Sequence, residues 1–173
     1  MSGPQVVHPA DEIHKRLGRV ATEIAADYQG KKLVLVGILK GSAFLLADLA
    51  RLIPEPLDYE FVDVAISHGD RGDVVNLTFA THIDVSGRHV LILKDVLHSG
   101  ITENYLITHL SQQRPASVEI VALVDRPHLR SVNLIAKYSI FSDESDDYLV
   151  GYGLGLEWGQ YTNQPDLCVI DRE

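Results

Sequence analysis

Ser99, Gly100, Ile101 and Thr102 close a stretch, HVLILKDVLHSGIT, that begins as an apolar strand and ends as the opening of a helix. Residues of these types at such a turn can hold a phosphate. Successive backbone N–H groups and the helix dipole make an anion nest, the hydroxyls add donors, and glycine lets the backbone approach a ligand closely. Serine and threonine are also routine helix caps, so the stretch by itself leaves a plain helix start open. Just upstream stand Lys94, Asp95 and His98, a cation, a carboxylate and an imidazole. An imidazole titrates near neutrality and can accept a proton in a reaction. A second turn, GILKGS over 37–42, offers Lys40, Gly41 and Ser42. It is no nucleoside-triphosphate loop, because that motif carries its lysine after the second glycine and here Lys40 precedes Gly41. A plain strand-to-helix turn and a second nest with Lys40 near an anion both fit.

Other reactive side chains are scattered. The histidines outside this stretch show no zinc-ligand spacing, and no metal site is read from them. Trp158 and Tyr161 read as packing residues of a C-terminal flap, and SDESDDY over 142–148 as a solvated acidic turn.

Positioning the reactive groups requires a scaffold, and hydrophobic periodicity outlines it. Ile13, Leu17, Val20, Ile24 and Tyr28 recur at spacings of three and four, which predicts a helix over 10–28 closed by Gly30. KLVLVGIL (32–39) is a continuous apolar run, the mark of a strand covered on both faces. A helix over 43–52 follows, stopped by Pro54, then a strand over 57–66. SHGDRGD reads as a polar turn and VVNLTFA as a half-exposed strand. GRHVLILKDVL is a second buried strand, followed by a helix over 102–112 and a third buried strand over 118–124. AKYSIF, YLVGYGL and DLCVI complete the pattern. Buried strands alternating with helices imply a parallel sheet covered on both faces. Ligands of such sheets bind beyond the carboxyl ends of the strands. Four segments reach that edge: LKGS, KDVLHSGIT, VDRPH and DDYLVGYG.

The 173 residues are enough for one domain with a sizeable core, read as spanning 1–173. A net charge of −9 and the lack of a Lys/Arg run speak against nucleic-acid binding, which draws its affinity from clustered cations. The single cysteine, Cys168, rules out an intrachain disulfide and fits a reducing compartment. No signal-like apolar region opens the sequence, and the longest apolar run (33–39) is too short for a bilayer, so a soluble, cytoplasmic protein is expected.

The motifs, in this order, resemble the hypoxanthine-guanine phosphoribosyltransferases. VGILKGSAFLLADLAR is similar to that family's pyrophosphate loop and following helix, and GRHVLILKDVLHSGIT to its phosphoribosyl-pyrophosphate motif. RPASVEIVALVDRP matches the strand leading to the base-recognising residue, and YLVGYGL the segment that closes over the purine. The resemblance implies a type I phosphoribosyltransferase-like α/β fold, with a central, mostly parallel sheet flanked by helices and a small hood built from the terminal segments. It implies transfer of ribose-5-phosphate from phosphoribosyl pyrophosphate to a 6-oxopurine, releasing pyrophosphate. Ser99 to Thr102 would hold the 5′-phosphate, Lys40, Gly41 and Ser42 would form the pyrophosphate loop, and Asp95 would meet the ribose hydroxyls. Tyr148 would stack on the purine, Leu149 would offer backbone contacts, and Arg126 would donate to the purine oxygen where the family has lysine. A homo-oligomer, dimer or tetramer, is implied as well.

The departures from the family pattern fall on catalytic groups. Lys94 breaks an acidic pair, His98 stands where an aspartate manages the proton on purine N7, and Gly155 stands where an aspartate helps hold magnesium. A pyrophosphate-gripping arginine has no counterpart in EWGQYTNQPD, and the lid, here Ser67-His68, reads as short and altered. All five bear on phosphoribosyl transfer with magnesium pyrophosphate. Lys94 would place positive charge where magnesium otherwise helps, which favours an anionic ligand. The expectation is a protein that binds a purine nucleotide or phosphoribosyl pyrophosphate with transfer impaired or lost. A working salvage enzyme using His98, a nucleotide-sensing regulatory protein and an oligomer-building scaffold are the alternatives.

Overall fold

The computed structural model describes residues 3–69 and 72–170. Its main sheet has six strands in the order β4-β3-β2-β5-β6-β7. They are β2 (Leu33–Ile38), β3 (Leu57–Gly69), β4 (Gly72–Phe79), β5 (His89–Leu97), β6 (Ser117–Asp125) and β7 (Tyr138–Ser142). All neighbours pair parallel except the β3–β4 hairpin. Every residue of β2 is buried, as its unbroken apolar run predicts for a central strand.

Alternation along the strands divides the core into two layers. Leu33, Leu35, Leu91 and Leu93 face α1 (Ala10–Asp27) and α2 (Ala43–Leu52), meeting Ile13, Leu17, Leu45 and Leu49. Val34, Val36, Val90 and Ile92 point the other way and meet Leu106 and Leu110 of α3 (Ile101–Ser111). Truncating a fully buried leucine such as Leu17 to alanine costs about 2–5 kcal/mol, so either layer holds the site edge firmly.

A small antiparallel sheet, β1 (Gln5–His8), β9 (Leu167–Ile170) and β8 (Tyr148–Val150), forms the hood. Asp166 completes it by accepting from the Ala10 N–H at 2.7 Å, capping α1 where Pro9 has no side chain to do so. The α2 boundaries follow the sequence: Ile53, before Pro54, is extended and ends the helix.

One strand goes beyond the predicted elements, and one expectation differs. β1 is too short to show a pattern of its own and exists through pairing with β9. The strands flanking SHGDRGD continue into it, to Gly69 and from Gly72, which narrows the turn. Asp70 and Arg71 of that predicted turn lie outside the described residues. Among the described residues no helix is long and apolar enough to cross a membrane.

Candidate active site

The carboxyl ends of β2, β5 and β6 bring three turns to one edge, and two adjoining clefts open there. The first, about 520 Å³, is lined by Lys94, Asp95, His98, Arg126, Tyr148 and Leu149, among others. The second, about 650 Å³, runs past Lys40, Gly41 and Trp158. Asp95, Tyr148, Leu154 and Gly155 line both.

Asp95 is the hinge of this arrangement. Lys94 Nζ stands 2.8 Å from its Oδ1 and 3.8 Å from Oε1 of Glu103, which the first turn of α3 brings beneath it. Both carboxylate oxygens are buried and lack a hydrogen bond of good geometry, so the Asp95 contact is ionic rather than directional. Burial works against the Lys94 charge, yet Asp95 and Glu103 outweigh it and hold the ammonium above its ordinary range. Burial pushes Glu103 up, against the pull of Lys94. On the other side a Cβ at position 41 would overlap the Asp95 carboxylate, so only glycine lets the turn after β2 come this close. The Leu39–Lys40 peptide in that turn is cis. Ser42 does not reach either cleft: it is buried, and its hydroxyl donates to the Ile38 carbonyl at 2.6 Å.

His98 is exposed at the first cleft. Partial desolvation, with Arg126 and Lys94 adding to it, holds its pKa below the ordinary 6.5 despite Asp95. The imidazole is therefore neutral at pH 7. After it, Gly100 takes φ +77° and opens α3, a conformation that glycine adopts without strain. A Cβ at this position would crowd Leu134, Arg130 and Val132, and Ser131 N–H donates to the Ser99 carbonyl at 2.9 Å. Arg130 clamps this loop by donating to the His98 carbonyl and to Asp125. Ser99, Gly100, Ile101 and Thr102 form the helix start as expected but line neither cleft. Glycine at position 100 is accounted for by backbone and loop packing alone.

Arg126 is almost fully buried. Its Nε and Nη2 donate to Asp143 at 3.0 and 2.7 Å, and Nη2 also to the Asp147 carbonyl at 2.8 Å. Burial opposes the Asp143 charge, but the Ser145 N–H and Arg126 keep its carboxyl below the usual range. In the acidic stretch 142–148 Ser142, Glu144, Asp146 and Asp147 are exposed, as a solvated turn predicts, but Asp143 anchors the guanidinium, and Asp146 and Asp147 line the cleft. Trp158, by contrast, is no packing residue. It is 98% exposed, with φ +61°, at the mouth of the second cleft.

Gly155 borders both clefts, and a Cβ there would overlap Thr162 Oγ1 and stand 2.9 Å from the Gln160 carbonyl. Magnesium, implied by the resemblance, does not fit these residues. Asp95 is already paired with Lys94, and position 155 has no carboxylate, a Cβ there being crowded by Thr162 and Gln160. Among the described residues no group of three or more His, Cys, Asp or Glu is placed to hold an ion.

Sequence reasoning missed Glu103, Arg130 and Asp143. Glu103 looks like an ordinary acidic residue in a helix's first turn, and the other two act on partners that only the fold reveals.

Comparison with known proteins gives these features a lineage. Residues 7–157 match the phosphoribosyl transferase domain. A hypoxanthine-guanine phosphoribosyltransferase of Streptococcus pneumoniae is 34% identical over 165 residues, covering 94% of this chain and 91% of its own. The crystal structure of a hypoxanthine phosphoribosyltransferase from Staphylococcus aureus superposes with a TM-score of 0.87 at 32% identity, over 96% of this chain and 91% of that one. The Trypanosoma cruzi hypoxanthine phosphoribosyltransferase gives 0.87 at 32% identity, over 98% and 97%. With the matched domain spanning most of its length and a relative 34% identical almost end to end, the chain belongs to the hypoxanthine-guanine phosphoribosyltransferase family.

Proposed function

We propose that the protein binds a purine nucleotide or phosphoribosyl pyrophosphate across the joined clefts, and transfers ribose weakly or not at all. The observation that carries this reading is Asp95, which lines both clefts while Lys94 Nζ stands 2.8 Å from one of its oxygens. A carboxylate so paired is a poor stabiliser of the positive charge that develops on ribose as pyrophosphate leaves. The purine would lie against Tyr148 and Leu149, with Arg126 donating from the edge its acidic anchors leave over. The 5′-phosphate would extend past His98 to the Ser99–Thr102 turn, outside the lining of both clefts, and further phosphates would lie toward Lys40 and Gly41. The same reading takes residues 1–173 as one domain of a cytoplasmic homo-oligomer with no nucleic-acid partner.

A second reading has one observation in its favour. His98 lines the first cleft and is held neutral, so it could accept the purine N7 proton as the base bonds to ribose C1′. One assay separates the two: purified protein, phosphoribosyl pyrophosphate, magnesium and hypoxanthine or guanine, with nucleotide product followed. Turnover of about 1 s⁻¹ or more would establish the salvage enzyme and end the impaired reading. Without turnover, calorimetric titration with GMP and IMP should show binding; its absence would leave a scaffold.

A further inference from the structure

We propose that Lys94 is the resident counter-cation of this site, and that its phosphoribosyl ligand binds as the metal-free anion. The inference rests on the reading that such a ligand is bound at all, and deepens it by naming the ligand's ionic form. Three independent features converge. Lys94 is fixed from two elements, with Asp95 beside it on β5 and Glu103 beneath it on α3. Asp95 and Glu103 each keep a buried oxygen that no hydrogen-bond donor satisfies, and the ammonium stands against both, closest to Asp95 at 2.8 Å, while burial holds the Glu103 carboxyl above its ordinary range. The pair also stands where the two clefts meet, which is where a ribose carrying phosphates at both ends would cross.

Electrostatics then separates two kinds of visitor. A divalent cation seeking Asp95 meets an ammonium already 2.8 Å from Oδ1, and like charges at such range repel strongly out of bulk water. Gly155 offers no second carboxylate, and even a Cβ there would crowd the Thr162 hydroxyl. An anion instead meets an Asp95 already paired with Lys94, the Lys40 ammonium beyond it, and the hydrogen-bonding edges of the neutral His98 and the Asp143-paired Arg126, with Asp146 and Asp147 also on the wall of the first cleft. Charge compensation that a metal would bring along with the ligand is here built into β5.

Calorimetric titration of the intact protein with phosphoribosyl pyrophosphate, once in EDTA and once in excess magnesium chloride, tests this. The affinities should agree within about threefold, whereas tightening by about tenfold or more with magnesium overturns the proposal. Binding only with magnesium would overturn it while leaving the ligand-binding reading intact. Absence of binding in both buffers overturns both. Lys94→Gln should weaken metal-free binding by about tenfold, and Lys94→Glu should make binding magnesium-dependent. Unchanged metal-free affinity in a folded Lys94→Gln protein would also overturn it. The wild-type comparison decides the matter should neither variant fold.

Discussion

The two clefts share one wall and are built in opposite ways. Around the first, the key side chains and their turn are held by partners from other elements: Lys94 by Glu103, Arg126 by Asp143 and the Asp147 carbonyl, and the His98 backbone by Arg130. The second is walled by Gly41, Gly153, Gly155 and Gly159, with Lys40 and Trp158 standing exposed. Glycine walls let backbones meet closely but present no side chain to a ligand. Recognition is therefore concentrated in the first cleft, where strand ends and buried ion pairs fix geometry, and the second offers space and one loosely held cation. A site can keep one half preorganised while its neighbour becomes little more than a passage.

The sharpest way to break this contrast is Asp143→Ala. It strips the buried Arg126 of its carboxylate, and unfolding by urea should show a loss of about 3–5 kcal/mol. A loss under about 1 kcal/mol would mean that the first cleft is no more preorganised than the second. Next comes Gly155→Asp, which overfills the second cleft's wall against Thr162 and should cost about 1–3 kcal/mol by the same measurement. Pairing it with Thr162→Ala should recover part of that cost.

His98 sharpens the electrostatic side. Its folded pKa lies below 6.5, so NMR titration should find it neutral at pH 7 and gaining its proton only as pH falls past the ordinary histidine range. Because the unfolded chain takes up that proton first, protonation at His98 lowers stability as pH drops below about 6.5. A midpoint above 7 would show that Arg126 and Lys94 do not shape the first cleft as described. The smallest effect belongs to Trp158→Ala, which should change stability by less than about 0.5 kcal/mol because nothing packs on the ring. As the chain's one tryptophan, Trp158 should also change fluorescence when a ligand extends into the second cleft, and stay silent when only the first is filled.

Local signals in the sequence reached far into the fold. The continuous run of β2, the Pro54 stop of α2 and the three-four spacing of α1 each follow from burial or backbone geometry within a few residues. Lys94, Asp95, His98, Arg126, Tyr148, Leu149 and Gly155, chosen from the sequence, all line the first cleft. What stayed hidden depends on distance along the chain. β1 needs β9, α1 needs Asp166 as its cap, and Arg126 needs Asp143, which composition disguises as part of a solvated acidic run. Trp158 was misread because an aromatic residue is ordinarily buried, and only the backbone turn at φ +61° throws it outward.

The contact between Gly155 and Thr162 also ties the glycine wall of the second cleft to the turn that carries Trp158. A side chain at position 155 would crowd the Thr162 hydroxyl and stand 2.9 Å from the Gln160 carbonyl, so shrinking residue 162 relieves only one of the two contacts. Thr162 is engaged in return, because its hydroxyl donates to the Gly159 carbonyl at 2.7 Å and steadies the turn beneath Trp158. A substitution at either position is therefore felt at both, and the wall and the turn vary as a unit.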